Sequence, residues 1–158
     1  MTRTLLLRSA LVVLLAFLAA APLAMARTDE SARLQMIWPA NGTVTSSFGE
    51  WRGGRRHDGL DIGMLSSLRV RAATAGVVRT AGYAQRYDGY GNIVVVDLPG
   101  PLTAIYAHLA EARVHVGQHV RKGQPLGVAG CTGSCSGTHL HFEVRRNGEP
   151  INPLPFLG

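Results

Sequence analysis

Beyond residue 36 the apolar positions of this chain fall in short runs rich in Val, Ile, Thr and aromatics, broken by glycine at close spacing. Such punctuation predicts strands and turns. Strands are predicted over residues 43–47, 69–73, 76–82, 92–97, 102–108, 124–129 and 139–145. Val77-Val78 and Ile93-Val94-Val95-Val96 put apolar residues at adjacent positions, so both faces of those strands are expected to be buried. Pro99-Gly100 and Asn147-Gly148 mark turns, the second being a dipeptide suited to a tight hairpin. No stretch past the N-terminal residues sustains a helical period, and no repeat, coiled coil or low-complexity linker breaks the pattern. The expectation is one all-β domain over residues 37–158, without a second domain.

The N-terminal residues follow another pattern. Arg3 and Arg8 lead into a wholly apolar run over 11–21, Pro22 closes it, and Ala24-Met25-Ala26 has the small-x-small form of an export cleavage site. The run is short for a membrane-spanning helix. A cleaved signal peptide over 1–26 and an uncleaved anchor are the two readings, and the flanks favour the first. No Cys follows the run to carry a lipid. Residues 27–36 are polar and are expected to form a flexible lead-in.

Removing 26 residues from 158 leaves 132, enough for one core. The formal charge of +6 drops to +4, because Arg3 and Arg8 are the only charged residues lost. A moderate positive charge, nearly all arginine, attracts anionic polymers such as bacterial cell-wall glycans, teichoic acids and nucleic acid. No basic run is interleaved with aromatics, so nucleic acid is not an expected partner. No stable membrane insertion is expected once the leader is removed.

The chemistry is concentrated in three places: His57 and Asp61 in Arg-His-Asp-Gly-Leu-Asp-Ile-Gly, His108 in Tyr-Ala-His-Leu, and His139 and His141 in Thr-His-Leu-His-Phe-Glu. Imidazole and carboxylate are the ligands of a catalytic zinc, three from protein with one position left for water. Residues two apart on a strand share a face, so His139 and His141 are expected to project together, with Leu140 and Phe142 turned into the core. Gly59 and Gly63 argue against a helix for His57 and Asp61 and for a turn or irregular strand.

Each residue also has a plainer reading. His57 fits a surface histidine in the basic run Arg55-Arg56-His57, His108 fits a satisfied core histidine, and Asp58 fits a turn. Glu143 shares the face of His141, either orienting it or serving as an ordinary strand carboxylate. His115 and His119, set among alternating valines, read as the solvent face of a small hairpin and are left out of the site. Cys131 and Cys135 fit a local disulfide in an exported chain, with a second metal site as the alternative. Two thiols are few for structural zinc, which favours the disulfide.

Together these residues resemble one family. Trp38-Pro39-Ala40-Asn41-Gly42 leading to Thr45-Ser46-Ser47-Phe48-Gly49 is similar to the opening of the lysostaphin-type (LytM-like) zinc metallopeptidases. His57-x-x-x-Asp61, Gly89-Tyr90-Gly91-Asn92, Tyr106-Ala107-His108-Leu109 and Gly137-Thr138-His139-Leu140-His141-Phe142-Glu143 follow in that family's order. The resemblance implies a compact domain of antiparallel β-sheets with its site in a groove. It implies one Zn2+ bound by His57, Asp61 and His141, with His108 and His139 as catalytic residues flanking the attacking water and the scissile carbonyl. It implies hydrolysis of peptide bonds in bacterial peptidoglycan, in stem-peptide cross-links or glycine bridges. The cysteine pair departs from the family's pattern and leaves every ligand in place.

No His-Glu-x-x-His helix supplies a glutamate base, so the histidine pair is the expected substitute. Two rival readings remain: a non-catalytic scaffold or amidase activator of the same fold, and an exported metal carrier. The first typically lacks a ligand, and the second gives His108 no work. With no separate wall-binding module in the 132 residues, targeting is expected from the groove, the charge or an unidentified adaptor. The expected location is the periplasm or cell envelope, with secretion as the alternative, and stem-peptide cross-links are the expected substrate.

Overall fold

The computed structural model describes residues 34–158. The predicted signal peptide, and the lead-in as far as residue 33, lie outside these residues. Ten strands follow in order: β1 (Asn41–Ser46), β2 (Leu60–Ser67), β3 (Arg69–Arg71), β4 (Gly76–Tyr83), β5 (Asn92–Asp97), β6 (Leu102–Ala112), β7 (His119–Val120), β8 (Pro125–Ala129), β9 (Leu140–Arg146) and β10 (Glu149–Ile151). Single 3-10 turns occupy Gln85–Tyr87 and Leu154–Phe156. The main path through the sheet is β1-β2-β9-β6-β5-β4-β7; β10 pairs with β9, and β8 joins β3 to β6. Every ladder between these strands is antiparallel.

The principal core lies on one face, where Val94, Tyr106, Leu109, Leu140 and Phe142 pack together. A smaller cluster of Tyr87, Ile93, Val95, Ile105 and Ala107 lies on the other. Alternation explains the split: even positions of β5 face the principal core and odd positions the smaller one, as expected for a strand buried on both sides. Met36, the last residue of the expected lead-in, belongs to the principal core at 1% exposure and bridges to Leu157.

One departure from alternation matters most. Ile93 lies between the pairs Asn92↔Leu109 and Val94↔Tyr106, so Ala107 and His108 together oppose it. This is a β-bulge, with His108 at φ 60°. Strict alternation would turn His108 into the apolar core beside Tyr106. The bulge gives that place to Leu109 and turns His108 onto the opposite face. It is also where β6 changes partner, from β9 through Ala107 to β8 from Leu109.

β2 is a full strand over a stretch that the sequence reads as a turn or irregular strand, and its pairing with β1 is indeed irregular. Its Asp, Gly and Ser residues have poor strand propensity, but β1 and β9 flank it on both sides and supply the backbone pairing. The short β7 and β10 are likewise not in the predicted set, and β6 runs four residues past its predicted end at 108.

Candidate metal centre

Strand register brings the first two candidate ligands together. Asp61 on β2 lies directly across from His141 on β9, and both turn away from the principal core. His57 precedes β2 and reaches the same point because Gly59 lets the chain press onto β9. A Cβ at Gly59 would sit 2.4 Å from the Phe142 carbonyl oxygen. The three side chains are all buried.

Their ligand atoms converge. His141 Nδ1 is 2.8 Å from Asp61 Oδ1 and 3.1 Å from His57 Nε2, and His57 Nε2 is 3.2 Å from Asp61 Oδ1. A tetrahedral zinc with bonds near 2.05 Å has ligands about 3.3 Å apart. The donor set and spacing therefore fit zinc.

The outer hydrogen bonds decide which ring nitrogens point inward. His57 Nδ1 faces the Ser47 carbonyl at 2.9 Å, an acceptor only, so Nδ1 carries the proton and Nε2 presents a lone pair. His141 Nε2 donates to Glu143 Oε1 at 2.8 Å, which turns Nδ1 toward the centre. Two lone pairs and a carboxylate at this separation repel one another unless a cation stands among them. Burial pulls the His141 pKa down, but hydrogen bonds to Asp61 and Glu143 prevail and raise it. Burial works against ionisation of Asp61, yet hydrogen bonds from His141 and Arg52 hold it well below the usual carboxylate range.

The supporting layer is charged and closed. Arg52 donates to Asp61 Oδ2 and to Ser46 Oγ, leaving Oδ1 for the centre. Glu143 is wholly buried and accepts from His141, Arg145 Nε at 2.6 Å and Tyr90 Oη at 2.5 Å. These bonds keep it ionised against the effect of burial.

His139 and His108 stand beside the ligands. His139 Nε2 is 3.7 Å from Asp61 Oδ1, and its ring centroid is 4.8 Å from that of His108. The His108 ring is 5.8 Å from that of His141. His139 bridges to Gly130 just before β9 instead of opening the strand as predicted. Both rings direct Nδ1 at backbone carbonyls, His108 to Thr132 at 2.8 Å and His139 to Gly137 at 2.7 Å, so Nε2 is the basic atom of each. Burial keeps His108 below its ordinary pKa, only partly offset by the Thr132 carbonyl.

All five predicted residues meet in one place, and His115 and His119 are exposed elsewhere. Asp58 is a half-buried neighbour facing Arg55 at 3.9 Å. Glu143 Oε1 accepts from His141 Nε2, which favours the orienting reading of this carboxylate. Arg52, Arg145 and Thr132 are contributors that sequence reasoning missed, and Tyr90 was picked out only as part of a motif, without a role. Arg145 was within reach, since it shares the strand face of His141 and Glu143. Cys131 and Cys135 form a disulfide.

A cavity of about 300 Å³ opens onto His57, His108 and His141, walled by Arg52, Arg55 and Tyr90. A second, of about 320 Å³, lies across Tyr90 and is lined by Arg79, Arg86 and Arg145. Tyr90 and Asp88 line both.

Comparison with known proteins agrees with this geometry. The sequence profile of "Peptidase family M23" matches residues 55–153. Murein hydrolase activator EnvC of Escherichia coli is 37% identical over 127 residues, covering 80% of this chain and 30% of that protein. DD-carboxypeptidase/endopeptidase Mpg of Neisseria meningitidis is 39% identical over 100 residues, covering 63% of this chain and 22% of that one. The antimicrobial peptidase lysostaphin of Staphylococcus simulans superposes with a TM-score of 0.67 at 30% identity, over 77% of this chain and 51% of its own. The chain thus spans under a third of either curated relative. With the profile covering well over half the residues and the His–Asp–His cluster intact within it, the chain belongs to peptidase family M23.

Proposed function

We propose that this chain is an exported zinc-dependent endopeptidase that cuts peptide bonds in bacterial peptidoglycan, in stem-peptide cross-links rather than glycine bridges. The observation that carries the activity is the convergence of three metal-fitting side chains with two imidazoles, each offering Nε2, beside an open cavity that His57, His108 and His141 line. His57, Asp61 and His141 would hold the zinc, which when bound would supply Lewis acidity toward water and a carbonyl. His108, kept neutral by burial, is suited to accept a proton at Nε2. Once protonated, a member of the pair steadies the developing oxyanion and returns the proton to the departing amine. The Thr132 and Gly137 carbonyls keep both rings in the tautomer this requires.

Arg86 at the second cavity supports the choice of substrate, Arg79 and Arg145 there being already paired with Asp97 and Glu143. Stem peptides carry free carboxylates, which guanidinium groups bind well. A glycine bridge offers none. Export is supported by the N-terminal pattern and the disulfide. No helix among the described residues is long and apolar enough to cross a membrane.

Purified protein, with and without chelator, is to be incubated with defined cross-linked muropeptides and with pentaglycine, and the products weighed by mass spectrometry. Chelator-sensitive cleavage of the cross-link is expected. Cleavage of pentaglycine alone would overturn the substrate choice. The match to a murein hydrolase activator favours a second reading, in which the groove regulates another hydrolase. Zinc-loaded protein that cuts neither substrate but stimulates a separate amidase would establish it.

A further inference from the structure

The loop between β8 and β9 has little apolar burial to hold it, since Cys131, Gly133, Ser134, Ser136 and Gly137 are all exposed. Loops of that kind ordinarily fluctuate. Yet this one carries the carbonyl that fixes His108 and the sulfur that flanks His139.

The contacts are specific. The ring closed by Cys131 and Cys135 contains Thr132, whose backbone oxygen accepts the His108 Nδ1 proton at 2.8 Å. The Thr132 hydroxyl donates to the Leu109 carbonyl at 2.8 Å and accepts from the Asn92 amide at 2.9 Å. One residue therefore ties together both strands of the bulge that turns His108 toward the groove. Ser134 N donates to the Gly89 carbonyl at 2.8 Å. Gly133 packs so closely on Gly89–Gly91 that a Cβ would lie 2.4 Å from the Gly91 amide nitrogen. At the other end of the ring, Cys135 Sγ lies 3.7 Å from His139 Nδ1 and 2.9 Å from the Gly137 oxygen that this nitrogen faces. A disulfide sulfur has no proton to donate, so these are packing contacts that limit where the ring can go.

We propose that the Cys131–Cys135 ring, acting through Thr132, is a positioning element for the His108–His139 pair, holding both rings by covalent closure where the fold provides no core. This rests on the reading of the pair as proton-handling residues. None of the ring's contacts reaches His57, Asp61 or His141, so opening it should impair proton transfer while metal stays bound.

The test uses zinc-loaded protein and the C131S/C135S variant, with T132V and T132S beside it. Zinc content, thermal unfolding, kcat and KM on a muropeptide dimer, and long-range 1H–15N spectra of the histidine rings are measured. C131S/C135S is expected to keep its zinc and KM and to lose kcat about 100-fold, the scale on which small misplacements act. His108 should change from one Nδ1-protonated tautomer to an average of two. T132V should share the defect and T132S should restore wild-type behaviour. Wild-type turnover with a single His108 tautomer in C131S/C135S would overturn the proposal. If that variant does not fold, folded wild type is reduced with a water-soluble phosphine. The S–S bond then opens to two thiols, and the phosphine becomes its oxide with oxygen from water. An unchanged His108 spectrum in the reduced protein would be equally fatal. If wild type shows no peptidase activity, the functional reading fails, but the His108 spectrum still decides the positioning role.

Discussion

The two halves of the candidate site are built by opposite means. His57, Asp61 and His141 depend on regular structure: a direct β2–β9 register pair, plus a histidine admitted by the missing side chain of Gly59. His108 and His139 depend on irregular structure, a bulge with positive φ and a disulfide-closed loop. A metal site needs a few atoms at fixed separation, which a ladder provides cheaply. A proton-handling group must be aimed at an atom that no strand position reaches, and bulges serve that purpose.

The largest effect should come from breaking the regular half. Asp61→Ala removes a proposed ligand and frees Arg52 of its carboxylate, while the β2–β9 ladder keeps its backbone bonds. Zinc measured by elemental analysis should fall to background. Activity should drop about 1,000-fold or more, the several kcal/mol a Lewis acid supplies. A variant that retains stoichiometric zinc would remove Asp61 from the ligand set.

Breaking the irregular half should look different. His108→Ala and His139→Ala are expected to keep one zinc and to lose about 100- to 10,000-fold in kcat, the range of general acid–base contributions. The double variant should be little worse than either single one, because the two act as a unit. Zinc loss in His108→Ala would mean the halves are not separable.

The same contrast explains what the sequence could reveal. Seven predicted strands correspond to observed ones, and the two-residue period correctly set His141 against Leu140 and Phe142. The five candidate residues that the fold brings together stood out in the sequence because their chemistry is rare and their spacing matches a family. β2 did not, since its Asp-Ile-Gly stretch earns strand structure only from its neighbours. The bulge at His108 did not either: alternation over residues 102–108 predicts an unbroken strand, and only the competition between Leu109 and His108 for the core shows otherwise. Arg52 and Thr132 act through atoms whose partners are remote in sequence, Asp61 and Leu109.

A milder change sharpens the comparison from outside the ligand set. Glu143→Gln keeps the size of a wholly buried side chain but removes the charge that holds His141 Nε2–H and neutralises Arg145. Zinc affinity should weaken about 10- to 100-fold, as for other partners behind metal ligands, with kcat at saturating zinc affected far less. Competition with a chromogenic chelator measures this. Unchanged affinity would return Glu143 to the role of an ordinary strand carboxylate.

The smallest effect tests whether the two faces of the sheet are independent. Tyr106 is wholly buried in the principal core, and its hydroxyl accepts the Ala73 amide proton at 2.9 Å. Tyr106→Phe leaves that N–H without a partner, which should cost about 1–3 kcal/mol of stability in a denaturant titration. Tyr106 lies two residues before His108 on β6, but the bulge separates their faces, so zinc content and turnover should stay at wild-type values. Loss of turnover in step with stability would mean that strain in the core passes through β6 to the histidine pair. The bulge would then be a coupling between the two faces rather than a partition.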